Sequence, residues 1–124
     1  MMEDESRLQK VGWFAELGFA GDHALLVTAR GKRTRGNKEH VVQYLQSGKP
    51  IVISPGVVRD IFDRSKIAGT SSLLTDGTYV WPDCLAHYVG RYDVALPDAF
   101  EEFMEANRWI MPGKIDTSKS RLPK

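Results

Sequence analysis

Cys84 and His87 are three residues apart and come closest in this chain to a chemical pair. On one helix they could touch, and a thiol near a helix N-terminus ionises more readily, so a thiolate nucleophile with a histidine base is one reading. Acidic residues such as Asp60 and Asp63 would then have to complete the site. The competing expectation treats Cys84 as a small apolar residue packed into the core and chemically inert. No cysteine-hydrolase signature or oxyanion-hole motif accompanies it. His23, His40 and His87 form no H-x-x-x-H pair, and one cysteine can make neither an internal disulfide nor a cysteine-based zinc site. The reading therefore assigns no catalytic residue, no metal and no cofactor, and expects a protein that is not an enzyme.

Two charge clusters and one aromatic group offer binding rather than catalysis. Arg30-Gly-Lys-Arg-Thr-Arg35, with Lys38, is the basic cluster. Arg30, Lys32, Arg33 and Arg35 are candidate contacts to an anion or a nucleic acid. Against this, the loop lacks the interleaved aromatics of single-strand binders and the spacing of a P-loop, so nucleic acid is not the expected partner and a solvated, mobile loop is the plainer expectation. Asp98, Glu101, Glu102 and Glu105 form an acidic patch suited to a basic partner surface. Tyr79 and Tyr92 are the aromatics open to an interface role, whereas Trp81 and Tyr88 read as core.

The elements that must position these residues follow from periodicity. Leu8, Val11, Phe14, Ala15 and Leu17 have helical spacing, and Gly18 is a stop. Asp22 caps a possible helix with Leu25, Leu26 and Ala29 inward, ending at Gly31, while Leu26-Val-Thr28 could equally be strand. Asn37 caps the next, with Val41, Tyr44 and Leu45 inward and Gly48 at its end. Pro50–Ile53 is a β-branched strand. Ser54-Pro55 then starts a helix burying Val57, Val58, Ile61 and Phe62. Residues 73–81 form a hairpin, with Asp76-Gly77 as an exposed two-residue turn, both residues at positive φ. Tyr79 and Trp81 share one face of it. Pro82 opens a helix through Leu85, Tyr88, Val89 and Tyr92. Leu96-Pro97 opens the last one, with Phe100, Phe103 and Met104 inward and Glu101 and Glu105 exposed. The expected fold is α+β: a single small domain, residues 8–113, with a short β-hairpin or sheet packed against four to six helices. Residues 1–7 and 114–124 are expected to be flexible ends.

Composition agrees with a globular domain. The chain has 124 residues, 42% hydrophobic and 27% charged, with a formal net charge of +1. That length buries a core without staples, and that charge supplies no global field towards nucleic acid or membrane. An acidic start, Glu3-Asp4-Glu5, and apolar runs of only a few residues point to a cytoplasmic protein without a signal peptide or membrane partner.

The string Leu74-Thr-Asp-Gly-Thr-Tyr-Val-Trp-Pro82, preceded by Tyr44-Leu45-x-Ser47-Gly48 and followed by Tyr88-Val89-x-x-Tyr92 and Leu96-Pro97-x-x-Phe100, resembles a group of small bacterial proteins of unassigned activity. That group is associated with immunity proteins encoded beside secreted polymorphic or contact-dependent toxins. The resemblance covers about residues 40–105. It implies a binding protein that neutralises a cognate toxin domain by occlusion. The partner contacts would be Asp98, Glu101, Glu102, Glu105, Tyr79 and Tyr92. The near-neutral charge departs from the strongly acidic character common among nuclease-blocking immunity proteins.

Overall fold

The structure, a computed structural model, describes residues 7–19, 25–113 and 115. The expected flexible ends lie outside these residues except for Arg7 and Ile115. So do His23 and the helix cap expected at Asp22. In chain order the elements are β1 (Gln9–Lys10), a 3-10 turn (Ala15–Leu17), α1 (Leu26–Ala29), α2 (Lys38–Gln46), β2 (Lys49–Val52), β3 (Val57–Arg59), β4 (Ile67–Thr70), β5 (Leu73–Thr75), β6 (Tyr79–Pro82), α3 (Leu85–Tyr92) and α4 (Asp98–Ala106). The fold is a small α+β domain. A four-stranded mixed sheet has the order β1-β6-β5-β2, and β3 and β4 form a separate two-stranded sheet.

The sheet is built around β6, whose four residues are all buried. β5 pairs with it antiparallel and β1 parallel. Alternation sends Tyr79 and Trp81 to the helical side and Val80 to the other, as a two-residue period requires. The helical side holds the main core: Val41, Tyr44 and Leu45 from α2, Leu85, Tyr88 and Val89 from α3, Phe100 and Met104 from α4. The opposite side is a small cluster of Leu8, Leu73 and Val80, with Trp13, Phe19, Ile51 and Val52 packed against it.

Trp81 is fully buried and sits against the turn that ends α2. Its indole N–H donates to Leu45 O at 3.0 Å, satisfying a carbonyl in the last turn of that helix. Gly48 makes the approach possible. A Cβ there would lie 2.6 Å from Trp81 Cζ2 and 2.9 Å from Leu74 Cβ. The expected helix stop at Gly48 thus has a second cause, the room Trp81 needs.

The Asp76-Gly77 turn differs from expectation. Only Gly77 has positive φ, at +96°, and Asp76 is 2% exposed. Three residues connect the strands, and side chains stitch them. Asp76 Oδ1 accepts from Thr78 N at 2.9 Å and Tyr79 N at 2.7 Å. Thr75 Oγ1 donates to Tyr79 O at 2.6 Å and accepts from Gly77 N at 2.9 Å. The remaining Asp76 oxygen accepts from the Tyr44 hydroxyl at 2.6 Å, tying the turn to α2. Burial and then this bond push the Tyr44 phenol well above its ordinary range.

Several expected elements are corrected. Residues 8–17 are a short strand and a 3-10 turn, because Gly12 takes φ +74° against the Leu85 side chain and breaks any helix. Residues 57–62 are strand and turn: Val57–Arg59 pair antiparallel with Ile67–Thr70, a segment to which the sequence reading assigned no element. Leu25 is 47% exposed, not inward. Pro82 closes β6 and does not open α3. Asn37 does precede α2, but in the left-handed region and without a side-chain cap bond. Phe103 is half-buried against Tyr79, whereas Phe100 and Met104 are fully buried.

Two substitutions check this account by urea denaturation. Gly48→Ala should destabilise by about 1–3 kcal/mol, since the added methyl overpacks against Trp81 and Leu74. Gly77→Val should also cost about 1–3 kcal/mol, because a β-branched residue resists its positive φ. Unchanged midpoints in either would refute the corresponding contact.

Candidate functional site

The basic loop and the acidic helix, read from sequence as two separate surfaces, are brought together by the fold. Backbone bonds fasten the loop to the end of α3. Gly31 N donates to Tyr92 O at 2.8 Å, Arg33 N to Asp93 O at 3.1 Å and Ala95 N to Ala29 O at 3.0 Å. They use carbonyls that a helix terminus leaves unpaired. α1 is itself fixed from a distance: Glu16 accepts from Leu26 N at 2.6 Å and Val27 N at 2.9 Å. The loop is therefore stitched at several points, although most of its residues stay exposed.

From this base Arg33 reaches α4. Its Nη1 and Nη2 donate to the two carboxylate oxygens of Glu101 at 2.5 and 2.8 Å. The side chains are 3% and 6% exposed. This two-pronged geometry is the strong form of an arginine–carboxylate contact. Arg35 lies along the same helix, 3.5 Å from Asp98, 3.7 Å from Glu101 and 3.6 Å from Glu105. Lys38 pairs with Asp93 at 2.9 Å.

These contacts sort the candidate residues. Glu101 was expected to be exposed and is buried; the position facing inward on α4 carries a carboxylate because Arg33 meets it there. Tyr79 is 8% exposed, its ring 4.6 Å from Phe100 and 5.3 Å from Phe103, so it packs in the core rather than on a surface. Asp98, Glu102 and Glu105 remain outward. Of the basic set, Arg33 and Arg35 are engaged by α4, while Arg30 and Lys32 are exposed.

The Cys84–His87 pair is not a chemical pair here. Cys84 is 2% exposed, and burial, with Asp83 adding to it, pushes its thiol up to about 12. A thiol so placed is poorly ionised at neutral pH. Its main-chain carbonyl, not its sulfur, meets His87, accepting from His87 N at 3.1 Å. The imidazole turns instead to Asp60, with Nε2 2.7 Å from Oδ2.

Asp60 is the hub that sequence reasoning did not identify, beyond naming it as a possible acid. It is fully buried, yet it accepts from His87, from the Tyr92 hydroxyl at 2.7 Å, and from Phe62 N and Asp63 N at 2.7 and 3.1 Å. Burial alone would raise its pKa. The bonds from His87, Tyr92 and the two amides outweigh burial and hold it at about 2. The hub joins the β3–β4 connection to α3, and Tyr88 adds a further link by accepting from Ile61 N at 3.0 Å. The only sequence signal was a carboxylate two residues after a β-branched pair, which no periodicity distinguishes from a solvated one. Among the described residues, no group of three or more His, Cys, Asp or Glu side chains converges as metal ligands. No helix among them is long and apolar enough to cross a membrane.

Three outcomes test the network. Glu101→Ala should cost about 3–5 kcal/mol in urea denaturation by leaving Arg33 buried without its counter-charge. Replacing both partners by apolar residues should recover much of that loss. For Asp60 the folded pKa is about 2, below the value of about 3.9 typical of an unfolded chain. The unfolded state thus binds the proton first as pH falls. The stabilisation from Asp60 is complete above about pH 4 and is lost as pH falls towards about 2. Asp60→Asn should remove that part of the acid limb; an unchanged wild-type-minus-variant difference over this window would refute it. Cys84→Ala should lose only modest stability, and native Cys84 should alkylate slowly at neutral pH. Rapid, selective modification would contradict its burial.

Comparisons of this chain with protein-family models, with curated proteins and with solved structures find no match.

Proposed function

We propose that this is a binding protein, a cytoplasmic immunity factor that neutralises a cognate toxin domain by occluding it. The observation that carries the reading is the outer face of α4. Asp98 is 81% exposed at the side chain, Glu105 is 47% exposed, and Glu102 lies between them on the outside of the helix. The inner side of the same helix is clamped by Phe100, Met104 and the Arg33–Glu101 pair. A charged ridge on a rigid support loses little conformational freedom when a partner covers it.

On this reading a basic patch of the toxin seats on the ridge and the body of the domain blocks access to the toxin's working surface. An interface of about 800 Å² per partner is enough for stable blockade. Arg35 bridges Asp98 and Glu105, so it orients the acidic side chains while lowering their net charge. What acts on the partner is this local field, which the near-neutral total of the chain does not describe. The resemblance carried by Leu74–Pro82 supports the same class of activity.

The test pairs this protein with the toxin domain encoded by the adjacent gene. Co-production should restore growth, and titration of the purified pair should give a 1:1 complex that unrelated toxin domains do not form. Reversing Asp98, Glu102 and Glu105 to Lys should leave the fold intact at a cost of about 0.5–1 kcal/mol per site, since Asp98 and Glu105 lose their Arg35 contacts. It should slow association, most strongly at low salt. Glu101 is excluded from this set because it is buried. A neighbourhood without a toxin gene, or a wild-type protein that neither rescues nor binds, would refute the immunity reading. Binding that the triple reversal leaves unchanged would refute the α4 surface alone.

A further inference from the structure

Five cations with no carboxylate within salt-bridge distance among the described residues gather at one end of the molecule: Arg30, Arg59, Arg64, Lys66 and Arg91. Their surroundings connect them. The Arg30 guanidinium carbon lies 4.2 Å from the Phe62 ring centroid and 4.7 Å from that of Tyr92. Arg91 sits over the same Tyr92 ring at 5.7 Å, and its Nε donates to the tyrosine hydroxyl at 3.3 Å. Arg59 Nη1 donates to Arg64 O at 3.2 Å. Asp63 is held below its ordinary pKa by bonds from Ser65, against some desolvation, and then by the charges of Lys66 and Arg91. Against five positive charges stand two carboxylates, Asp60 and Asp63, which leaves this corner positive by three.

We propose that this corner is a docking surface for an acidic patch on a partner protein, with Arg30 as its anchor. A cation resting on two aromatic rings is already positioned, and no acceptor among the described residues occupies its side-chain N–H groups. It can therefore present a two-pronged donor to a carboxylate with little ordering cost. Arginine beside tyrosine is also the composition that concentrates binding energy at interfaces.

Two observations favour a protein over a nucleic acid. Arg30 already covers the Phe62 and Tyr92 rings, which removes them as platforms for stacked bases. The β3–β4 hairpin exposes Val57 at 61% and Ile67 at 57%, an apolar surface that a protein interface buries and a phosphate backbone does not use. The surface is distinct from the α4 ridge and does not depend on the toxin reading.

The experiment measures fluorescence anisotropy of a labelled octaglutamate peptide and a labelled octauridylate RNA at low salt. The proteins are wild type, Arg30→Gln, Arg91→Gln and the control Lys32→Gln, each checked for folding by thermal melting. Peptide affinity should fall about tenfold in Arg30→Gln and measurably in Arg91→Gln, and stay within about twofold in Lys32→Gln. Backbone amide resonances of Phe62, Asp63 and Tyr92 should shift with the peptide. Absence of peptide binding, affinity unchanged in both arginine variants, or shifts confined to residues 32–35 and α4 would overturn the proposal. RNA that binds more tightly than the peptide and is lost in the same variants would overturn it in favour of a nucleic-acid partner.

Discussion

Trp81 in the pocket between Leu45, Gly48 and Leu74 is the contact on which the rest of the domain rests. It stands on the central strand and meets Tyr44 and Phe100, so one ring couples the sheet to α2 and α4. Its indole N–H also completes the end of α2. The geometry tolerates little change, because the approach to Gly48 leaves no room for a side chain there. Tyr44 extends the coupling to Asp76, and Asp76 in turn holds the β5–β6 turn. A buried carboxyl group in a turn is costly unless every oxygen finds a donor. Here both do, and the turn becomes part of the core.

Charge is handled by a second, separate logic. Besides Asp76, the described chain buries two carboxylates, Asp60 and Glu101, and gives each several donors. Glu101 takes a guanidinium from the loop before α2, and Asp60 takes an imidazole, a phenol and two amides. Each pairing fastens an irregular segment to a helix: residues 30–35 to α4, and residues 60–63 to α3. Irregular segments cannot be held by a hydrophobic stripe, since they have no periodic face, and directional bonds replace it.

This division bears on function. The fold uses some of its charges internally and leaves others outside, and the division cuts across the clusters seen in sequence: Arg33 and Glu101 turn inward while Arg30, Lys32, Asp98, Glu102 and Glu105 stay out. The densest basic run, Arg30–Arg35, is partly spent on α4. The exposed positive corner is assembled from residues 30, 59, 64, 66 and 91, no two of them adjacent in sequence. The acidic ridge of α4 and this corner are linked by the stitched 30–35 loop.

The sequence alone determined the local elements with strong periodicity or strong punctuation. α2 between Asn37 and Gly48, strand β2 (read as Pro50–Ile53, found at Lys49–Val52), the β5–β6 hairpin, α3 and α4 were all legible, as were the buried Trp81, Tyr88, Phe100 and Met104. It also carried the α+β class. Tertiary structure alone decided the outcomes that rest on non-local partners. Val57–Arg59 became strand because Ile67–Thr70 lies beside it, overriding a proline-started helical pattern. Gly12 became a break because Leu85 packs where a side chain would go. Glu101 turned inward because Arg33, 68 residues earlier, meets it. Asp60 became a hub because His87 and Tyr92 converge on it from α3. Periodicity reports which face of an element is apolar. It carries no information about which distant donor will make a buried charge affordable, and that pairing separated this protein's structural charges from its available ones.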